Sequence, residues 1–146
     1  MNAPTRPPIT PRGEEKVFFD HLREHELVFQ RCAGCSHAVF PLRTVCPHCS
    51  SESLDLERAA GTGTVYSFTT QHRASHPFFA ADAPYTLVLV DLDGGVRVFA
   101  NLVDCPPDDA RIGMSVEAVF DDVEPELTLL RFRPASAAES TAEEQS

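Results

Sequence analysis

The stretch CAGCSHAVFPLRTVCPHC, residues 32–49, decides how this chain folds. It contains two Cys-x-x-Cys pairs, Cys32/Cys35 and Cys46/Cys49, separated by ten residues. Two cysteines three positions apart on a tight turn can direct both thiolates at one metal ion. A second such turn completes a tetrahedral sulfur shell, which suits zinc. We therefore predict that these four cysteines bind one Zn²⁺ ion.

The same cysteines could instead form disulfides or remain unpaired buried thiols. A secretory signal would favour disulfides, but the N-terminal sequence MNAPTRPPITPRGEEK contains no apolar run. We expect a cytoplasmic, reducing location, where thiols remain available to a metal. The longest apolar runs fall far short of the ~18 residues that a membrane helix needs, so we expect a soluble protein.

A zinc ion held by four cysteines is expected to be structural. Catalytic zinc usually keeps one coordination position for water or substrate, and four sulfur ligands fill the shell. We therefore predict no catalytic residue in this chain. His37 and His48 could replace a cysteine as ligands, but the turns should point both side chains towards solvent.

The charge of the chain argues against a nucleic-acid partner. The formal net charge is −10, and residues 61–133 contain five arginines, no lysine and eleven Asp or Glu residues. Proteins that bind nucleic acid without specificity depend on Lys and Arg to neutralise phosphates. At 146 residues, the chain suits one domain or two small modules that share a core.

The N-terminal region is predicted to be an arm followed by a helix. Residues 1–12 contain four prolines, which favour a flexible arm. Thr10 could cap a helix over residues 13–26, with Pro11 at its first position. The helix would carry an apolar stripe that covers the core of the domain or docks on another protein: Val17, Phe18, Phe19 and Leu22.

The metal site is predicted to lie in a zinc ribbon over residues 27–57, with strands at 27–31, 38–43 and 54–57. Few apolar residues are available to this segment, so the metal should supply much of its folding free energy. Removal of zinc should therefore unfold the ribbon first.

Residues 58–133 are predicted to form a small β-barrel. Alternating apolar residues indicate strands at 64–72, 85–92, 96–103, 115–121 and 128–133, and Asp93-Gly94-Gly95 is typical of a hairpin turn. Five short strands fit an OB-fold better than a sandwich. The glycines of GTGTVYSFTTQH, residues 61–72, could indicate a phosphate loop, but the β-forming residues after them favour a bend or bulge.

Several residues of the barrel have more than one interpretation. Phe78 and Phe79, in the loop 73–84, could close the barrel end or contact a partner. His72 and His76 could form an acid–base pair, although surface histidines are favoured, and Cys105 is expected to be an unreactive thiol. Residues 134–146 lack large apolar side chains and are predicted to be a disordered tail.

These segments together resemble the family called domain of unknown function 35. The resemblance covers approximately residues 18–134 and includes LVFQRCAGCSHAVFPLRTVCPHCSS, GTGTVYSFTTQHR, PYTLVLVDLDGGVRVFANLVDC, IGMSVEAVF and RFRP. It implies a mainly β protein in which a short N-terminal helix and a rubredoxin-like zinc ribbon precede a five-stranded OB-fold barrel. The four cysteines would be its zinc ligands.

The resemblance also implies a function. Members of the family accompany thiolase-fold enzymes, including thiolases, acyltransferases and aldolases that act on sterol side chains, and others accompany acyl-CoA hydratases. The expected role is a non-catalytic subunit that stabilises its partner and helps form the partner's acyl-CoA site, in lipid or steroid metabolism. Contacts to CoA are not identified by a motif, and Arg43, Arg73 and Arg97 are mere candidates.

Two alternative functions remain open. A single-stranded nucleic-acid binder could stack bases on Tyr66, Phe68 and Phe99, but it would need a basic groove. A free-standing acyl-CoA carrier or enzyme would bind or turn over acyl-CoA without a partner.

Overall fold

A computed structural model of the chain describes residues 5–74 and 76–135. They form one α-helix, eight strands and two short 3₁₀ helices, Pro77–Asp82 and Pro107–Asp109. The regular elements are α1 Gly13–Arg23, β1 Val28–Cys32, β2 Ala38–Val39, β3 Leu54–Arg58, β4 Thr62–Gln71, β5 Tyr85–Leu92, β6 Arg97–Leu102, β7 Ser115–Glu124 and β8 Leu127–Pro134. The predicted tail at 134–146 lies almost entirely outside the described residues.

The metal-binding cysteines belong to a three-stranded antiparallel sheet of order β2-β1-β3. The predicted strand 38–43 is wrong beyond Val39, where β2 ends. Pro41 has no N–H to donate to a ladder, and the side chain of Gln30 hydrogen-bonds both backbone groups of Arg43. A side chain thus replaces the expected strand pairing.

The remaining strands form a closed barrel of order β4-β5-β6-β8-β7, which confirms the five-stranded OB-fold. Every neighbouring pair is antiparallel except β6 and β8, which pair in parallel at Asn101↔Arg131 and Leu102↔Phe132. A bend or bulge was predicted at the two glycines, Gly61 and Gly63. The register of β4 shifts slightly later, between Val65 and Ser67, while Gly63 itself pairs with Leu92. Among the helices described, none has the length and apolar character needed to cross a membrane.

The prediction that Thr10 caps the N-terminal helix is wrong. The capping residue is Arg12, whose backbone is extended (φ −139°, ψ 152°) and whose side chain makes no capping hydrogen bond. Because the chain stays extended to Arg12, the first helical turn begins beyond the reach of Thr10, and Pro11 lies outside the helix. At the other end, His25 adopts a left-handed conformation (φ 60°), which terminates the helix.

The ribbon and the barrel share one hydrophobic core. Leu27 and Phe29, at the start of the ribbon, pack in the same cluster as barrel residues such as Val90 and Phe132. Helix α1 adds to this packing, because Leu22 is buried and Phe18 packs against the cluster. Part of the predicted apolar stripe therefore covers the chain's own core.

Gly63 provides a test of how closely two barrel strands approach. A Cβ at Gly63 would collide with the backbone oxygen of Asp91 and lie 2.8 Å from Cγ1 of Val90. We expect Gly63→Ala to lower the free energy of unfolding by about 1–3 kcal/mol because the strands must separate. Urea unfolding measures the change. Thr64→Ala, at the exposed neighbouring position, is the control. Equal urea midpoints for the two variants would show that the strands do not approach closely at Gly63.

Candidate metal centre

Two turns of the same geometry present the four cysteines. In the first, the N–H of Gly34 donates to Sγ of Cys32 at 3.3 Å, and in the second the N–H of His48 donates to Sγ of Cys46 at 3.3 Å. Each turn then closes through a serine at positive φ, 67° at Ser36 and 68° at Ser50. The repeated Cys-x-x-Cys spacing therefore produces two equivalent knuckles.

The four sulfur atoms converge on one point. All of them lie within 4.8 Å of one another, with 3.5 Å between Sγ of Cys32 and Cys49 and 3.6 Å between Sγ of Cys35 and Cys46. A tetrahedral ion with Zn–S bonds of about 2.3 Å requires sulfur atoms roughly 3.8 Å apart. The arrangement therefore fits one tetrahedral metal ion, and these cysteines are positioned to bind it.

The local environment shifts the pKa values of the Cys32 and Cys35 thiols in opposite directions. Backbone N–H groups, first that of Cys35, lower the pKa of Cys32 to about 6. The N–H of His37 acts in the same direction on Cys35, but burial and the neighbouring thiols outweigh it and raise the pKa of Cys35 to about 12. A metal cation favours deprotonation of all four thiols because it supplies the positive charge that offsets their mutual repulsion.

His37 and His48 are both exposed, as predicted from their places in the turns. Their rings stack on each other with centroids 4.1 Å apart and planes inclined by 17°. Nδ1 of His37 also lies 3.2 Å from Sγ of Cys35. The stacking was not predicted, because it requires the two knuckles to face each other.

Gln30 supports the metal centre and was missed by the sequence analysis. Its side chain is buried, with Nε2 donating to the carbonyl oxygen of Arg43 and Oε1 accepting from the N–H of Arg43, both at 2.8 Å. This pair of bonds holds the connection between the two knuckles against β1. The sequence contains no sign of it beyond a polar residue in a strand.

Arg31 joins the ribbon to the barrel and was also missed. Its guanidinium donates to Glu57 in the same sheet and to the carbonyl oxygen of Gly94 in the β5–β6 hairpin. Gly94 is itself close-packed, since a Cβ there would lie 3.1 Å from the ring of Phe29. The ribbon therefore rests on the turn of a barrel hairpin.

The other candidate residues do not assemble into a second site in the described part of the chain. His72 is exposed, while Nδ1 of His76 accepts from the N–H of Phe78 and so caps a 3₁₀ helix. Cys105 is half-buried, and burial raises the pKa of its thiol. Phe78 and Phe79 are half-buried and in edge-to-face contact with each other.

The arginines named as candidates differ in their surroundings. Arg43 and Arg73 are exposed. Arg97 donates to Asp91 at 2.6 Å and lies over the ring of Tyr66, 3.5 Å from its centroid. The hydrogen bond with Asp91 raises the pKa of Arg97. Arg97 is therefore a cation already paired within the barrel.

A four-cysteine ribbon packed on a closed five-stranded barrel defines a zinc-ribbon and OB-fold protein. The ChsH2 rubredoxin-like zinc ribbon model matches residues 19–55, and the ChsH2 C-terminal OB-fold model matches residues 56–121. The chain is 38% identical to a DUF35 domain-containing scaffold protein of Methanocaldococcus jannaschii, over 68% of this chain and 72% of the relative. The chain therefore belongs to the ChsH2/DUF35 family, as the sequence resemblance predicted.

Other relatives are parts of enzymes. A probable enoyl-CoA hydratase alpha subunit of Thermomonospora curvata is 40% identical over 93% of this chain, which spans 42% of that relative's length. A solved structure described as an Ltp2-ChsH2(DUF35) aldolase contains a chain that is 42% identical, with a TM-score of 0.79 and coverage of 90% of this chain and 100% of that one. A more distant relative, 27% identical over 63% of this chain and 64% of its own length, is the benzoylsuccinyl-CoA thiolase subunit BbsA of Thauera aromatica.

The role of Gln30 can be tested by removing its hydrogen-bonding groups. We expect Gln30→Leu to lower the free energy of unfolding by about 1–3 kcal/mol, because the N–H and carbonyl groups of Arg43 lose their partners. Chemical denaturation measures the loss. In Arg43→Ala the same backbone groups remain, so that variant should change stability by less than about 0.5 kcal/mol. Similar losses in both variants would show that the side chain of Arg43 carries the interaction.

Proposed function

We propose that this chain is a non-catalytic accessory subunit that binds and stabilises a thiolase-fold enzyme and helps form its acyl-CoA site. The observation that carries the proposal is the similarity to the DUF35 chain of the Ltp2-ChsH2 aldolase, which extends over the whole of that chain. The names of two other relatives, a CoA hydratase subunit and a CoA thiolase subunit, point to the same substrate class. The acyl-CoA would be the substrate of the partner.

The metal in this proposal is one structural Zn²⁺ held by Cys32, Cys35, Cys46 and Cys49. The distances between the sulfur atoms support this assignment, and with four thiolate ligands the ion would have no open position for substrate. Its contribution would be to fix the two knuckles and thereby the ribbon. The chemistry of the complex would then take place on the partner.

Nucleic-acid binding has less support from the barrel surface. Arg97, Arg131 and Arg133 each donate to a carboxylate at 2.6 Å, so three of the five barrel arginines are paired with acids. The aromatic residues named for base stacking do not share one surface. Phe68 packs against the core, whereas Tyr66 and Phe99 are exposed. A single-stranded nucleic acid requires both a basic groove and a row of stacking rings.

The structural role of zinc predicts the response to loss of one ligand. We expect one Zn²⁺ per chain in freshly isolated, reduced protein, and we expect Cys46→Ser to lose the metal and unfold β1–β3. Elemental analysis and amide hydrogen exchange measure these two effects. Cys105→Ser is the matched control, because Cys105 lies outside the sulfur cluster and should retain zinc. A Cys46→Ser variant that keeps one zinc and a protected ribbon would contradict the assignment.

The accessory role predicts a specific companion in the source cells. A tagged chain should co-purify with a thiolase-fold enzyme in a fixed ratio, identified by mass spectrometry, and the purified enzyme should lose activity or stability when the chain is removed. Activity of that enzyme towards acyl-CoA, with and without the added chain, is the measurement. Turnover of acyl-CoA by the isolated chain would instead support a free-standing enzyme. A tagged chain that purifies as a monomer, without any enzyme that acts on acyl-CoA, would refute the proposal.

A further inference from the structure

The outer face of the barrel carries an exposed aromatic patch, formed by Tyr66, Leu89, Arg97 and Phe99. Phe99 is 60% exposed and Tyr66 is 48% exposed, so both large aromatic residues lie on the surface. Leu89 and Phe99 lie opposite each other on β5 and β6 and face the same side of the barrel. The patch therefore combines two exposed rings, an aliphatic side chain and an arginine on three adjacent strands.

The side chains of the aromatic patch are held in place before any partner arrives. The guanidinium of Arg97 donates a hydrogen bond to Asp91, at 2.6 Å, and lies over the ring of Tyr66, 3.5 Å from the ring centroid. Binding orders flexible side chains at a cost of about 0.5–1.5 kcal/mol each, and a side chain already held loses less freedom. Tyr and Arg are also enriched among residues that dominate the energy of protein interfaces.

A hollow of about 250 Å³ adjoins the aromatic patch and is lined mainly by apolar side chains. The residues that line it include Phe99 of β6, Phe19 of α1 and Leu129 of β8. The hollow lies beside the parallel seam of the barrel, where β6 and β8 pair at only two positions among the described residues. This seam therefore leaves a recess that can receive an apolar side chain from outside.

The charge around the aromatic patch indicates what kind of surface can cover it. The charge of Arg97 is neutralised by Asp91. Asp93, in the turn between β5 and β6, is exposed. Residues 61–133 together contain eleven Asp or Glu residues against five arginines. A second copy of this chain would bring another net charge of −10 to the interface. A protein surface with an apolar centre and Lys or Arg at its edge is complementary to this face.

We propose that the aromatic patch and the adjoining hollow are the docking face for the enzyme subunit, which presents an apolar centre surrounded by basic residues. This inference rests on the accessory role proposed above and adds the surface through which that role is exercised. Phe99 enters an apolar pocket of the partner, and a side chain of the partner fills the hollow that Phe99 and Phe19 line.

The test compares Phe99→Ser with the matched variant Leu56→Ser in binding to the enzyme that co-purifies with the wild-type chain. Leu56 is an exposed leucine, 45% accessible, in the ribbon sheet. We expect Phe99→Ser to weaken binding at least about tenfold, as for an interface residue that dominates the energy, and Leu56→Ser to change it less than about twofold. Both side chains are exposed, so zinc content and melting temperature should remain those of the wild type.

The outcomes separate the docking face from the accessory role. Equal binding by the wild type and Phe99→Ser would overturn the docking face and leave the accessory role intact. Equal loss in Phe99→Ser and Leu56→Ser would also overturn it. A wild-type chain that alone forms a dimer, which Phe99→Ser dissociates, would identify a second copy as the occupant and refute the assignment. If the wild type captures no acyl-CoA enzyme, the accessory role fails and the docking face falls with it.

Discussion

The convergence of four cysteine sulfurs on one point is the constraint on which the rest of this structure depends. Apart from those sulfurs, the cluster around the metal centre contains little more than Val39 and Leu54. So small an apolar cluster cannot offset the conformational entropy lost by the two knuckles and three short strands. Thiolate–metal bonds would supply the missing stabilisation and would hold Cys32, the last residue of β1, in place.

The position of β1 in turn affects the barrel. This strand and the residue before it carry Phe29 and Leu27 into the core of the barrel, where both are almost completely buried. Arg31 on the same strand donates to Gly94 at the tip of the β5–β6 hairpin. The β5–β6 hairpin also bears Leu89, Arg97 and Phe99 of the aromatic patch, so β1 connects the metal centre to the part of the barrel that carries most of the patch.

Features that depend on local sequence could be predicted, whereas those that depend on distant contacts could not. The strand at Tyr85–Leu92 was predicted with both of its ends, because its side chains alternate between the core and the outer face along its whole length. The spacing of the cysteines is likewise a local feature, and it predicted that the four thiols would converge on one point. The early end of β2 has one cause of each kind. Pro41, which has no N–H for a strand ladder, is visible in the sequence, whereas the bonding of Gln30 to the backbone of Arg43, thirteen residues further along the chain, is not.

The irregularity in β4 shows how one local feature changes the functional interpretation of a barrel. Strict alternation after the buried Val65 would direct Tyr66 and Phe68 to the same outer face, as a base-stacking surface requires. The shift in register between Val65 and Ser67 instead turns Phe68 towards the core and leaves Tyr66 outside beside Arg97. Because Asp91 already neutralises that arginine, the exposed surface is aromatic but not basic. Such a surface is better suited to another protein than to a phosphate backbone, although the fold occurs in proteins that bind either.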